Sequence, residues 1–444
     1  MRRRFGNLSA MISFLLVIAF LLTGCGNTNT PAENEEPSLT VYCSDDTSAL
    51  LPGYITRIKE FGNVFNVDIK LEVFEDVVEM EERLKVEVPA GQGPDVIVTS
   101  ILFGLDMMTL AQSGAFYDLT EIIAEDSTFN DDNYYTSVMR AGQLNGKQYI
   151  VPLSFSLPVF VSSDSVLEEA GIDWDSSTTL EVYEQTLEYL KSGDDLKISG
   201  WGGWIDTSVP LLFSCGREPI SYETGEVMLD GDIERMVFEL GTEIFIQGNA
   251  WIKERRNQKA YAEIMKGYAS LPLIYSNTNP SPVMLKFYYS AYAANGKEDE
   301  FRMNMMPDEN GEYCAKVDEF AAVTANAKDP ELAWTLIRDV IDHKLGSDFC
   351  GGCSLNRSRT EECLNDLAVS NAPRINGFPV VKMPRELIEQ LSEAYDRITD
   401  AELYQFSPVY TTIREETISF RNGEIDFDTM IENINSMVEL YMNE

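Results

Sequence analysis

The chain has 444 residues, 44% of them hydrophobic and including 22 Phe and 20 Tyr, so it carries enough apolar surface for real cores and is no disordered segment. Its formal net charge of -39, from 34 Lys and Arg against 73 Asp and Glu, repels polyphosphate and argues against nucleic acid as a partner. A single histidine rules out histidine-rich metal centres, and no Gly-x-Ser-x-Gly elbow, phosphate loop or His-x-x-x-His pair occurs.

The chain opens with Arg2, Arg3 and Arg4, then an apolar run from Met11 to Leu22, then Leu22-Thr23-Gly24-Cys25 and a polar stretch. This is the layout of a secretory signal, too short and too one-sidedly flanked for a spanning helix. The tetrad closing the run resembles the lipobox of bacterial lipoproteins. That resemblance implies residues 1–24 as a signal peptide, cleavage before Cys25, and a diacylglyceryl group on its thiol. Residues 25–38 would then be the lipidated cysteine and a flexible spacer, with the protein held on the extracytoplasmic face of the cell membrane. Two acyl chains suffice for stable anchoring, where one is marginal. Removing 24 of 444 residues leaves 420, a size that suits two lobes of roughly 200.

Leu39 to Tyr42 reads as a strand and Leu50 to Phe61 as a helix. Val67, Ile69, Leu71 and Val73 alternate with polar residues, the mark of a half-buried strand. Val77 to Val88 reads as a helix whose four Glu face water, and Val96-Ile97-Val98 as a buried strand after the turn 91–95. Strand, helix, strand, helix, strand implies a parallel sheet with crossover helices. Ligands of such sheets bind beyond the carboxyl ends of the strands, here Thr99 to Asp106. Asn145-Gly146 makes a tight hairpin, and Pro152 is expected to end the strand begun at Gln148. Extended structure resumes from Val159 to Ser162, followed by helices at 180–190 and 233–247. Trp201-Gly202-Gly203-Trp204 sets two large rings beside residues that let backbone approach closely. Phe301 to Met306 and Tyr313 to Val317 are expected to pair as a hairpin turned by Asn310-Gly311, and Pro330 to His343 is a helix. In the last helix Met430, Ile434, Met437 and Tyr441 fall on one face.

Six pieces together carry a second resemblance: Gly93-Pro94-Asp95-Val96-Ile97, Gly114 to Thr120, Leu144 to Pro152, Ala170 to Asp173 with Thr178 to Tyr183, Asp329 to Trp334, and Phe420 to Glu424. In this order they resemble the extracellular solute-binding proteins of ABC importers, in the branch of maltose-binding protein, from about residue 39 to the end. The resemblance implies an α/β, periplasmic-binding-protein-like fold, with two α/β lobes, hinge crossovers and a ligand cleft between them. Residues 39–153 and 299–343 would form lobe I, and 154–298 and 344–444 lobe II, with hinge at Leu153 to Pro158. It implies capture of a solute, a mono- or oligosaccharide, by lobe closure and delivery to membrane permease subunits. The protein would act as a monomer, without cofactor, metal or catalytic residues.

The family's pocket positions map onto Thr99, Ser100, Phe103 and Asp106 after the third strand, onto Ser154, Phe155 and Ser156 at the hinge, and onto Tyr410 with Phe406 nearby. Trp201 and Trp204 join them for their rings, since sugars stack apolar C–H faces on aromatics. Relatives carry a stacking Trp after a Gly-x-Ala-Ala-Met motif. This chain reads Gly267-Tyr268-Ala269-Ser270-Leu271 and then Tyr275, without that Trp, so either Tyr275 substitutes for the ring or the ligand is not a sugar that needs it.

If Cys25 is lipidated, six cysteines remain, an even number compatible with disulfides in an exported protein. Cys350-Gly351-Gly352-Cys353 has redox or half-zinc spacing, but it follows a helix instead of opening one, which favours a disulfide or free thiols. Asp230-Gly231-Asp232 lacks the further oxygen ligands of a calcium loop and reads as a turn. Two rival functions stay open: an extracellular sensor or co-receptor of the same fold, and a surface glycoside hydrolase.

Overall fold

The alternation of residues 39–100 builds a parallel sheet. Strands β1 (Ser38–Ser44), β2 (Asp68–Phe74) and β3 (Val96–Ser100) lie side by side, β1 in the middle, with Val41 opposite Leu71 and Val96. The intervening helix Leu51–Phe65 buries Tyr54, Ile58 and Phe61, spaced by four and three residues, and helix Val77–Glu87 buries Met80 and Leu84. Each such side chain contributes roughly 1.5–3 kcal/mol when fully buried. The computed structural model describes residues 37–44, 51–75, 77–100, 107–193, 195–200, 207–221, 224, 226–229, 231–255, 273–276, 282–343, 352–369, 380–403 and 408–442. Cys25, the leader and the spacer up to residue 36 lie outside them. Among the described residues no helix is long and apolar enough to cross a membrane.

The predicted hairpin forms from β4 (Gln143–Leu144) and β5 (Lys147–Gln148), with Asn145 and Gly146 both at positive φ, 51° and 74°. It leads into β6 (Ile150–Ser156), which continues through Pro152 where the sequence alone ended the strand. The ladder accommodates the missing N–H by shifting register there: Pro152 lies opposite Phe320 and Ser154 opposite Glu319. The non-strand link to β7 (Val159–Ser163) is therefore only Leu157-Pro158.

Beyond it come β8 (Ile198–Gly200), the small pair β9 (Ile220–Ser221) and β10 (Glu226–Val227), then β11 (Leu273–Ser276) and β12 (Phe301–Asn304). A second sheet has the order β12-β7-β11-β8. Strand β13 (Tyr313–Val323) is no hairpin partner of β12. It crosses to the first sheet and inserts between β3 and β6, antiparallel to both. An eleven-residue strand with Ala315, Val317, Phe320, Ala321, Ala322 and Val323 buried gains far more from that central position than from a two-stranded edge. Two late strands finish the first sheet: β14 (Cys353–Ser354) pairs with β6, and β15 (Ile398–Glu402) runs parallel to β13. The described residues 353–369 and 380–403 thus lie with the first sheet, although the sequence reading set 344–444 with the second lobe. Among the described residues of that span, only helices Pro408–Arg421 and Phe427–Met442 pack on the second core. Likewise β12, read into lobe I, belongs to the second sheet.

The second sheet has two covered faces. Phe160, Ile198 and Tyr275 face a core shared with helices Ser208–Ser214, Asp232–Arg255 and the last two helices. Val161, Ile274 and Met303 face the other way, and with helix Pro282–Ala294 they are continuous with the core of the first sheet. In the final helix the buried stripe is Met430, Ile434 and Val438, while Met437, expected on it, is 46% exposed. The i, i+4 steps of a 3.6-residue repeat leave position 437 off the stripe.

Among the described residues two connections join the sheets, Leu157-Pro158 between β6 and β7 and residues 305–312 between β12 and β13. A third leads in sequence from β15 to helix Pro408–Arg421 on the second core. Cys43, Cys215, Cys314 and Cys353 are free thiols, so the Cys350/Cys353 pair is not joined within itself. Cys363 is disulfide-bonded, to a partner outside the described residues.

Candidate functional site: a polar floor at the carboxyl ends of the strands

Strands β1, β3 and β6 run in one direction and β13 against them, so the carboxyl ends of the first three meet the amino-terminal half of β13. Here the side chains change from apolar to polar while staying buried. The Ser44 and Thr99 hydroxyls are 2.8 Å apart and hydrogen-bonded. One strand over, the Ser154 hydroxyl donates to Glu319. β13 extends past the end of β3, whose last residue, Ser100, lies opposite Glu319. On this overhang Lys316 Nζ is 2.5 Å from Asp318 Oδ1, with side chains only 4% and 10% exposed. Lys316 stands opposite Ser156, and the register shifts around Asp318 put a bulge at the acid itself.

Two atoms of this floor have no hydrogen-bond partner among the described residues: Ser156 Oγ and Asp318 Oδ2, both buried. A buried polar group left unpaired costs about 1–3 kcal/mol. Gly352 packs closely against Oδ2, where a Cβ would lie 2.9 Å from that oxygen and 3.0 Å from the Phe155 carbonyl. From the first turn of helix Leu51–Phe65, the Tyr54 phenol completes the group. Burial pushes it well above its ordinary pKa, Glu319 adds to the shift, and Ser154 opposes it.

In the second sheet, β8 and β11 also end toward the connections, since Ser276 is paired with Val159, the residue after Pro158. Two sheets therefore turn the carboxyl ends of strands toward the segments that join them. That arrangement suits a ligand held between the sheets.

Comparison with known proteins fits this architecture. The family profile described as bacterial extracellular solute-binding protein matches residues 56–342. The chain belongs to this family. Solute-binding proteins of similar fold include an ABC substrate-binding protein from Listeria monocytogenes in complex with cycloalternan, at TM-score 0.60 and 13% identity, covering 92% of this chain and 100% of that one. The sugar-binding protein MalE from Xanthomonas citri is similar at TM-score 0.63 and 13% identity, covering 91% and 97%. The maltose-binding MalE from Listeria monocytogenes, in complex with maltose, is similar at 0.55 and 16%, covering 91% and 98%. At these identities the likeness establishes the periplasmic-binding-protein-like fold. No curated protein matches by sequence. The family and these neighbours are binding proteins, and the family's location is extracytoplasmic.

Of the pocket residues expected from sequence, the structure of this solute-binding protein sets Ser154 and Ser156 on β6 opposite Glu319 and Lys316, while Thr99 bonds Ser44 at the ends of β1 and β3 and stands opposite Phe320. Phe155 points to the opposite face of β6, as strand alternation demands. Its ring packs edge-on against Tyr135 and Tyr395, at 5.1 and 5.8 Å. Tyr275 is fully buried in the second core against Phe160, at 4.9 Å. Tyr410 is half-buried near Phe213, on the helix that follows the third connection. Phe103, Asp106, Trp201, Trp204 and Phe406 lie outside the described residues, as does the side chain of Ser100.

Sequence reasoning missed Tyr54, Lys316, Asp318 and Glu319. The signal was present: three charges within Lys316-Val317-Asp318-Glu319 interrupt a strand that is otherwise nearly all apolar. A separate acidic group, Glu218, Asp400 and Glu402, brings three carboxylate oxygens within 4.8 Å. Burial raises the pKa of both Asp400 and Glu402, Glu402 the further.

Proposed function

We propose that this chain is a lipid-anchored substrate-binding protein that captures an extracellular mono- or oligosaccharide and hands it to the permease of an ABC importer. The buried polar floor carries the reading. Hydroxyl and carboxylate groups, among them Ser156 Oγ and Asp318 Oδ2 without a partner among the described residues, sit at the strand ends of one sheet, next to the connections toward a second. Carbohydrates match such a surface, because each hydroxyl both donates and accepts. The complexes of structural neighbours with cycloalternan and maltose support the same class of ligand.

Closure follows from the connections. A solute touching both lobes only when they are shut binds that state better and shifts the population toward it. The lobes follow the two sheets, so residues 353–403 move with the first and residues 408–442 with the second. Tyr410, on the helix packed against the second core, is assigned to that lobe's side of the cleft. Cys25 tethers the protein within reach of its permease, and no chemistry on the solute is required.

Thermal shift and tryptophan fluorescence of the purified protein against mono- and oligosaccharides test the proposal. A stabilised midpoint with a fluorescence change is expected for at least one saccharide. Silence across the whole panel rejects the carbohydrate reading.

A further inference from the structure

We propose that the solute bound at this floor carries no negative charge and donates a hydroxyl or ammonium hydrogen bond to Asp318 Oδ2, so that neutral or amino sugars are taken and uronic acids refused. The inference rests on the saccharide reading and adds a selection rule that the family does not supply.

Three observations converge on it. First, Lys316, Asp318 and Glu319 bear one positive and two negative charges within four residues, and the lysine is held by Asp318 at 2.5 Å. An anion entering the floor meets a net negative group in a poorly solvated setting, where charge repulsion is strong. Second, Asp318 Oδ2 is buried without a partner among the described residues, and an ionised carboxylate only accepts hydrogen bonds. A hydroxyl or ammonium group satisfies it, whereas a uronate carboxylate, itself an acceptor, does not. Third, Gly352 packs against Oδ2 and brings no side chain to pair with it, a Cβ there lying only 2.9 Å from that oxygen. The Ser156 hydroxyl, also buried and unpaired, faces Lys316 from β6 and gives a second polar contact on the same floor. A site built to hydrogen-bond a donor rejects analogues lacking it, because its own buried groups are then left unpaired.

The test is titration calorimetry of the full protein with neutral, amino and uronic-acid forms of glucose, galactose and mannose, as monomers and trimers. At least one neutral or amino member is expected to bind, with its uronic counterpart at least tenfold weaker. Asp318→Asn should weaken the preferred sugar about tenfold or more and narrow its lead over the uronate. Ser156→Ala keeps the fold intact whatever becomes of Asp318. It should lose affinity severalfold while the thermal midpoint holds or rises, a combination that a purely structural serine would not give. A uronate binding as tightly as its neutral counterpart overturns the selection rule and leaves the saccharide reading standing. So do unchanged affinities in both variants. Absence of binding by every member overturns the saccharide reading, and the rule with it.

Discussion

Replacing Lys316 with Met asks the most of the structure. The lysine is 4% exposed in its side chain and 2.5 Å from Asp318, with Glu319 next in the chain. Methionine fills nearly the same volume, so packing changes little and the loss is electrostatic. Breaking a buried ion pair by removing one partner typically costs about 3–5 kcal/mol, because the surviving charge has no compensation. Here two carboxylates survive, which sets the expectation at the upper end of that range. Against a stability of about 5–15 kcal/mol, the variant should unfold at a much lower urea concentration with an unchanged slope. The measurement is urea titration followed by both circular dichroism and tryptophan fluorescence, to check that the two signals coincide. The double variant Lys316→Met/Asp318→Leu, which removes the pair together, should recover most of the loss. A cost below about 1 kcal/mol for the single variant would mean the pair is solvated, and the buried-floor argument would fall.

Four further outcomes are expected. Gly352→Ala should destabilise by about 1–3 kcal/mol, since its Cβ meets Asp318 and the Phe155 carbonyl at 2.9 and 3.0 Å; denaturant midpoints measure it. Phe155→Ala should cost about 3–5 kcal/mol through its lost contacts with Tyr135 and Tyr395, while the milder Phe155→Leu leaves solute affinity unchanged in calorimetry. The folded-state pKa of Glu402 lies above its unfolded value, so the favourable contribution is complete below about pH 4.5 and drains away as pH rises through the folded value. Glu402→Gln should therefore stabilise the protein at pH 7 and flatten its stability between pH 4.5 and 8; a steeper profile would contradict the sign. Cys25→Ser should move the protein from the membrane fraction to the medium or periplasm with ligand affinity intact, read by fractionation and calorimetry.

The first sheet was legible because its elements are local. Alternation in Val67 to Val73 and the apolar run of Val96 to Val98 identify strands from nearest neighbours alone, and Asn145-Gly146 names its own turn. The failures are non-local. Nothing in Tyr313 to Val323 says that the strand leaves β12 to pair with β3 and β6, or that β15 joins it from eighty residues away. Those pairings are decided by burial in the assembled sheet. The site split the same way. Ser154 and Ser156 are named by the family's pocket position after Pro152, whereas Tyr54 and Asp318 reach the floor by a helix turn and a bulge. Phe155 was drawn into the site by sequence proximity, and the two-residue period of β6 turns its ring away.

The free thiols have a use outside binding. Burial pushes Cys215 and Cys353 up to about 12, Cys314 higher still, and Cys43 is fully buried. At neutral pH only about one molecule in 10⁵ would hold either of the first two as thiolate, the form that attacks disulfides or alkylating reagents. The chain can thus cross an oxidising compartment with four thiols and little risk of scrambling. Those same groups become reactive when the cores open. A maleimide or iodoacetamide pulse therefore times the unfolding of each core separately, Cys43 and Cys353 reporting the first sheet and Cys215 the second, with no label engineered into the protein.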